Sequence, residues 1–341
     1  MKTALSFISA VVAAVMTASA ADFTASDITV DNKKQHVTLG ATITRPVDAP
    51  PRAALVLATG SGAQNRDEEL LGHKPFKTIA EHLSSNGYAV LRFDDRGVGE
   101  STGDAASMTT DDYVTDITSC LDYMKATFGD GVPTGVLGHS QGGSAAIKLG
   151  GDTSVCDFIV TIGAPAWPGD SIIMSQARAM TLAMTGKWDG EPLQRRLLDM
   201  VRSDVSSLML SPMLYAEVAR TLGEMAKMPE VQQQLMAQTS AMCSTAYRDL
   251  VKYDPTADIK AVTVPWLALN GSHDMQVLPE NLDTIEQLNP AADTRLLDKH
   301  NHLLQRCSTG IVQEYASISE DISPDALAVI LAWLDSLQLL E

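Results

Sequence analysis

The stretch Val136-Leu137-Gly138-His139-Ser140-Gln141-Gly142-Gly143-Ser144-Ala145-Ala146 constrains the chain more than any other. A short apolar run ends at Gly138, one serine stands between two glycines, and a small-residue helical pattern begins at once. Strand, sharp turn and helix are the context of a nucleophile elbow, whose apex serine presents its hydroxyl. So sharp an apex requires a left-handed, strained backbone, at a cost of about 1–3 kcal/mol. Side chains two residues before and two after the apex would collide with the turn, which makes Gly138 and Gly142 steric requirements. A second string of the same form, Gly99-Glu100-Ser101-Thr102-Gly103, lacks the context. The apolar run Tyr88–Phe93 ends well before Ser101, and Asp104-Ala105-Ala106-Ser107 starts no apolar helix.

Strand and helix patterns alternate around the elbow. Ile28–Val30 and His36–Arg45 read as a hairpin, and Pro46–Arg52 as a turn-rich linker. Ala53–Ala58 is a continuous apolar run, as expected of a buried parallel strand. A helix over Phe76–Ser85, a strand over Tyr88–Phe93, a helix over Thr110–Phe128, the elbow strand Gly135–Gly138 and a strand over Phe158–Ile162 follow. This rhythm predicts an α/β fold, a mostly parallel sheet with helices on both faces. It breaks after Ala164-Pro165, where only helical stretches occur: Ile172–Met184, Leu193–Leu210 and Tyr215–Lys227. Ten of the 15 methionines fall between Met174 and Met242. Methionines at helical spacing are expected to fill a core; the alternative is an adaptable apolar wall over a binding site. Sheet patterning resumes with a strand over Val262–Leu269, then a helix Pro279–Leu288, a strand Thr294–Leu297 and a helix Pro324–Leu340. The expected organisation is a core over 21–165 and 255–341, interrupted by a helical cap over 166–254.

A serine hydroxyl is a poor nucleophile until a base takes its proton, and the base is commonly a histidine oriented by a carboxylate. Asp274 follows one late strand, in Asn270-Gly271-Ser272-His273-Asp274, and His302 follows the next, in His300-Asn301-His302. Ser140, Asp274, His302 is the chain order of α/β-hydrolases. His300 and His273 are the competing bases. His139 is expected to point away along the turn, with His36 in a strand and His82 in a helix, both without partners. Asn270-Gly271-Ser272 matches a glycosylation sequon and reads as turn chemistry. An oxyanion hole needs two backbone donors: the N–H of Gln141, after the nucleophile, and one from the loop Thr59-Gly60-Ser61-Gly62. Ser61 is the first choice for the second donor and Gly62 the next. No metal or cofactor is required.

The formal charge of -17 disfavours nucleic acid, whose phosphates call for clustered Lys and Arg. Lys2, the apolar stretch Ala4–Met16 and Ala18-Ser19-Ala20 read as a secretory signal over 1–20, too short for a membrane span. Export to the periplasm or beyond is expected. Cys120, Cys156, Cys243 and Cys307 lack metal-ligand spacing; disulfides and buried thiols both remain open.

Gly60-Ser61-Gly62-Ala63-Gln64-Asn65-Arg66-Asp67-Glu68, Gly72-His73-Lys74-Pro75-Phe76, Asp94-Asp95-Arg96-Gly97-Val98-Gly99-Glu100-Ser101 and the elbow carry a resemblance. It continues in Tyr253-Asp254-Pro255, Gly271–Gln276, Asn301-His302-Leu303-Leu304-Gln305 and Ile322-Ser323-Pro324. On these residues the chain resembles bacterial serine α/β-hydrolases of the esterase and serine aminopeptidase-like group. The resemblance runs from about residue 53 onward, outside most of the cap, and implies His302 as the base. Ala63, Asn65 and Leu304 depart from relatives that carry Pro, Asp and Phe; none removes a catalytic group, and Asn65 bears on the mouth of the site.

The function expected is ester hydrolysis of a small-molecule substrate through an acyl-enzyme. Peptidase, aminopeptidase or amidase chemistry on the same triad is the alternative, with a non-catalytic binding protein more remote. An aminopeptidase would need acidic groups for the substrate amine, and Glu191, Asp204, Glu217 and Glu224 are available in the cap. A serine at the apex excludes dehalogenase chemistry, which needs a carboxylate there.

Overall fold

A computed structural model describes residues 23–337, apart from 48 and 130. The expected signal segment and the final residues of the chain lie outside them. The N-terminal hairpin consists of β1 (Phe23–Asn32) and β2 (Val37–Pro46). Then come β3 (Ala54–Ala58), α1 (Pro75–Ser85), β4 (Ala89–Phe93), α2 (Thr110–Phe128), β5 (Thr134–His139), α3 (Gln141–Leu149) and β6 (Phe158–Ile162). A run of helices begins after β6 with α4 (Gly169–Thr185), α5 (Glu191–Arg202), α6 (Ser207–Leu222), α7 (Pro229–Ala241) and α8 (Thr245–Lys252). The chain closes with α9 (Thr256–Ala261), β7 (Trp266–Gly271), α10 (Glu280–Leu288), β8 (Asp293–Leu297), α11 (Val312–Tyr315) and α12 (Pro324–Ser336).

The strands form one 8-stranded sheet in the order β1-β2-β4-β3-β5-β6-β7-β8. Only β1–β2 and β2–β4 pair antiparallel; every later pair is parallel. Side chains of a strand alternate between faces, and the core divides accordingly. Ala54, Val56 and Ala58 pack with Ile117, Leu121 and Ala145 of α2 and α3. Leu55 and Leu57 pack with Phe76 and Ile79 of α1 and with Ile330 and Leu334 of α12. Thr109 caps α2 through a reciprocal bond pair with Asp112, satisfying N–H groups that a helix start leaves open.

Several expectations are corrected. The chain from Leu193 to Leu210 is not one helix: α5 ends at Arg202, and Arg248 donates to the carbonyls of Ser203 and Val205, holding the link open. The strand expected from Val262 begins only at Trp266, because the N–H of Thr263 turns to the carbonyl of Gly150. His36 lies in the turn of the hairpin with φ 56°, not in a strand. Most of the methionines between Met174 and Met242 do not fill a core. Met184, Met209, Met213, Met225, Met228 and Met236 are exposed, while Met174, Met200 and Met242 pack half-buried on the small core of α5, α6 and α8. That core (Leu197, Leu198, Val201, Leu210, Leu214, Cys243 and Val251) is separate from the two sheet layers. The four cysteines are free thiols.

Candidate active site

Ser140 stands between β5 and α3 with φ 52° and ψ -117°. The positive φ is the one expected, but ψ takes the residue outside the ordinary left-handed basin. Its N–H donates to the carbonyl of Ile162 on β6 at 2.8 Å, which fixes the apex to the sheet. A Cβ on Gly138 would stand 2.2 Å from the carbonyl oxygen of Gly142, and one on Gly142 would stand 2.1 Å from that of Ala58. Both glycines are therefore demanded by backbone contacts that cannot yield.

Asp274 and His302 meet at the carboxyl ends of β7 and β8. Nδ1 of His302 donates to Oδ2 of Asp274 at 2.7 Å, and both residues are buried. Oδ1 of Asp274 accepts the N–H groups of Gln276 (2.8 Å) and Val277 (2.9 Å). The buried Asn270 ties the same loop, accepting from Gly271 N–H and donating to the carbonyl of Val277. Its amide is thus committed to turn chemistry. On the other loop Asn301 Oδ1 accepts from the N–H groups of Leu303 and Gln305, and Gln305 donates to the carbonyl of Glu320. The hydroxyl of Tyr315 accepts the N–H of His302 at 3.3 Å. These bonds account for the Asn-His-Leu-Leu-Gln run: its amides build the turn that carries the imidazole.

With Nδ1 donating to Asp274, Nε2 of His302 is left as the acceptor. The structure does not join His302 to Ser140 by a hydrogen bond, and such bonds are often long before substrate is present. The competing groups are committed elsewhere. His300 donates from Nδ1 to the carbonyl of Asp298, and its Nε2 accepts from the Ser323 hydroxyl. Nδ1 of His273 lies 3.7 Å from Sγ of Cys307. Ser101 is buried, donating to the carbonyl of Asp94 and accepting from the N–H of Gly40.

Gln141 opens α3, where backbone N–H groups have no helical acceptor. In the loop after β3, Gly60 is buried and its N–H is taken by Oε1 of Glu68 at 2.6 Å. Ser61 and Gly62 are the exposed positions beyond it, Gly62 with φ 109°. A Cβ on Gly60 would lie 3.3 Å from that of Ser140, so this loop passes directly against the apex.

What holds the loop was missed in the sequence. Three consecutive residues of the Gln-Asn-Arg-Asp-Glu run each reach a different buried partner. Arg66 binds Asp94 through its backbone and guanidinium, Asp67 pairs with Arg92, and Glu68 accepts from Gly60 and from the ring of His139. Asp95 accepts from the Thr59 hydroxyl and the Gln64 N–H, while burial pushes its carboxyl up to about 7. The Asp-Asp-Arg-Gly run thus serves as a mount for the loop beside Ser140; Arg96 anchors it below through Asp116. His139 does not point away. It is buried between Glu68 and His302, its ring centroid 4.5 Å from that of His302. Both partners lie far off in sequence, and no local pattern would have revealed them.

Known proteins share this arrangement of chain. Esterase EstD of Thermotoga maritima is 26% identical over 285 residues, covering 83% of this chain. The chain spans 60% of the length of that relative. An esterase of Pyrococcus furiosus superposes with a TM-score of 0.58 at 14% identity, covering 92% of this chain and 91% of its own. A proline iminopeptidase of Mycobacterium smegmatis gives 0.54 at 15% identity, covering 91% and 98%. At such identities these structures speak for the fold alone. Residues 73–307 match the family described as serine aminopeptidase, S33, and this match takes in the elbow, the acidic loop and the histidine loop. The chain belongs to this family of α/β-hydrolases.

Proposed function

We propose that the protein is a serine hydrolase cleaving carboxylic esters of small or medium acyl groups. The observation that carries this reading is the buried His302–Asp274 bond of 2.7 Å beside a serine held at a strained apex. His302 takes the proton of Ser140 as its Oγ attacks the ester carbonyl, and Asp274 stabilises the imidazolium. The N–H groups of Gln141 and Ser61, with Gly62 as the alternative to Ser61, receive the oxyanion. A preorganised donor of this kind is worth roughly 3–4 kcal/mol in the transition state. His302 then protonates the leaving alcohol and later activates the water that frees the acyl group. The similarity to esterases and the insertion of α4–α8 between β6 and β7 support the reading, with 166–254 acting as a cap. The Ala18-Ser19-Ala20 pattern supports export.

The rival is peptide hydrolysis from an amino terminus, in keeping with the family description and the likeness to a proline iminopeptidase. It requires acids free to hold an ammonium group. Glu191 pairs with Arg195, Glu217 with Arg196 and Arg220, Glu224 with Lys227, and Asp204 lies 3.8 Å from Lys252. Each of these four acids thus already faces a cation. The test compares p-nitrophenyl esters of graded length with aminoacyl p-nitroanilides, on the wild-type protein and Ser140→Ala. Turnover of esters and labelling by a fluorophosphonate, both lost in Ser140→Ala, are expected. Turnover of anilides alone would overturn the ester reading, and labelling that survives the substitution would overturn the serine.

A further inference from the structure

Glu68 is buried at 3% exposure and holds φ 52°, a conformation that a residue with a Cβ keeps only when its surroundings impose it. Its Oε1 accepts twice, from the N–H of Gly60 at 2.6 Å and from Nδ1 of His139 at 2.7 Å. The other ring nitrogen of His139, Nε2, lies 3.1 Å from the carbonyl oxygen of His302. A carbonyl oxygen only accepts, so Nε2 carries a hydrogen. Nδ1 faces Oε1 of Glu68, and when that group is a carboxylate Nδ1 donates as well. In that state both nitrogens are protonated, and the pair is an imidazolium against a carboxylate.

We infer that Glu68 and His139 form a charged positioning pair that locks the oxyanion loop, the elbow and the histidine loop into one unit. The inference rests on the serine-hydrolase reading of the same site. Each contact falls next to a working group: Gly60 precedes Ser61, His139 precedes Ser140, and the carbonyl is that of His302 itself. Gly60 is packed into the junction, where an added Cβ would meet Glu68 Oε1 at 3.1 Å and His139 Nδ1 at 3.3 Å. The positive ring lies between the carboxylate and the ring of His302, 4.5 Å away. The other titratable groups around the pair are Asp274 beside His302, and Asp95 and Tyr113, which sense the charge of Glu68. Burial works against the charge on His139, and Glu68 outweighs it, so the ring titrates above its ordinary range.

Glu68→Gln keeps the size and shape while removing the countercharge. His139 then loses a proton and can donate to only one of its two partners. The expected result is a kcat lower by about tenfold to a hundredfold, the cost of small misplacement at a reacting centre. KM should stay within about threefold. The acid limb of kcat/KM should move to higher pH, because the positive charge beside His302 is gone. Active sites are counted by fluorophosphonate titration, so that kcat is per folded site. An unchanged kcat with an unmoved acid limb overturns the inference, as does a loss explained by the count of sites alone. Ser140→Ala is assayed beside it. An active Ser140→Ala overturns the serine reading and this inference with it; an inactive one beside fully active Glu68→Gln overturns this inference only. Should Glu68→Gln fail to fold, the imidazole nitrogen signals of His139 in the unmodified protein decide. Two protonated nitrogens from about pH 6 to about pH 8 support the pair, and one bare nitrogen overturns it.

Discussion

A methyl group on Gly163 would stand 2.8 Å from Nδ1 of His302, the atom that binds Asp274. Gly163 follows β6 directly, with φ 55°, and donates its N–H to the carbonyl of Leu269 on β7. The sheet therefore brings bare backbone up against the imidazole, where a side chain would push it away. Gly163→Ala is expected to lower kcat by about tenfold to a hundredfold through displacement of His302. Fluorophosphonate labelling rates should fall in step while the fold persists by circular dichroism. Wild-type labelling in this variant would refute the account.

Gly142 makes a harsher demand. A Cβ there would lie 2.1 Å from the carbonyl oxygen of Ala58, and neither the elbow nor β3 can move independently of the sheet. Gly142→Ala is expected to cost about 3 kcal/mol or more, at the severe end of overpacking. Denaturant unfolding measures it. A loss under about 1 kcal/mol would mean that the turn relaxes in a way the geometry does not suggest.

The carboxylate at 274 accepts three hydrogen bonds, one from His302 and two from backbone N–H groups. Asp274→Asn preserves size but offers the ring an amide that can donate to Nδ1 and select the wrong tautomer. The expected loss is roughly 10⁴-fold in kcat with the fold intact. A loss smaller than about tenfold would show that His302 is oriented by its loop alone.

The parts of the site legible in the sequence are those whose physical cause is local. Gly138 and Gly142 are dictated by collisions within a few residues of Ser140 or with the adjacent strand, and an apolar run followed by a tight turn announces them. The turns of Asp274 and His302 are built largely from their own amides, so their motifs could be read from neighbours in the chain. Glu68 and His139 are 71 positions apart, and their meeting depends on β3 and β5 lying side by side. The helical insert was legible only as helix. No glycine or proline marks the break at Ser203–Ser206, whereas Pro212 sits inside α6 without ending it. The exposure of Met209 and Met213 reflects which face α6 turns to the small core, with Leu210 and Leu214 facing in, a choice that periodicity alone leaves open.

Glu314 supports the segment leading to Tyr315, whose hydroxyl accepts the N–H of His302. Its carboxylate gathers the N–H groups of Ser308 (2.7 Å), Thr309 (2.8 Å) and Gly310 (3.0 Å) together with the Thr309 hydroxyl. Desolvation raises its titration point, but these donors outweigh it and hold the carboxyl down at about 2, against an ordinary 4.5. A carboxyl lowered in the folded state adds stability that is present above its unfolded value and lost as pH falls through its folded one. The contribution of Glu314 is therefore full above about pH 4.5 and disappears toward about pH 2. The group lies near solvent, so screening reduces the benefit to about 1 kcal/mol. Glu314→Gln should unfold at lower denaturant than the wild-type protein at neutral pH, with the gap closing on acidification. A gap of constant size from neutral to acid would trace the loss to the shape of the loop and not to its charge.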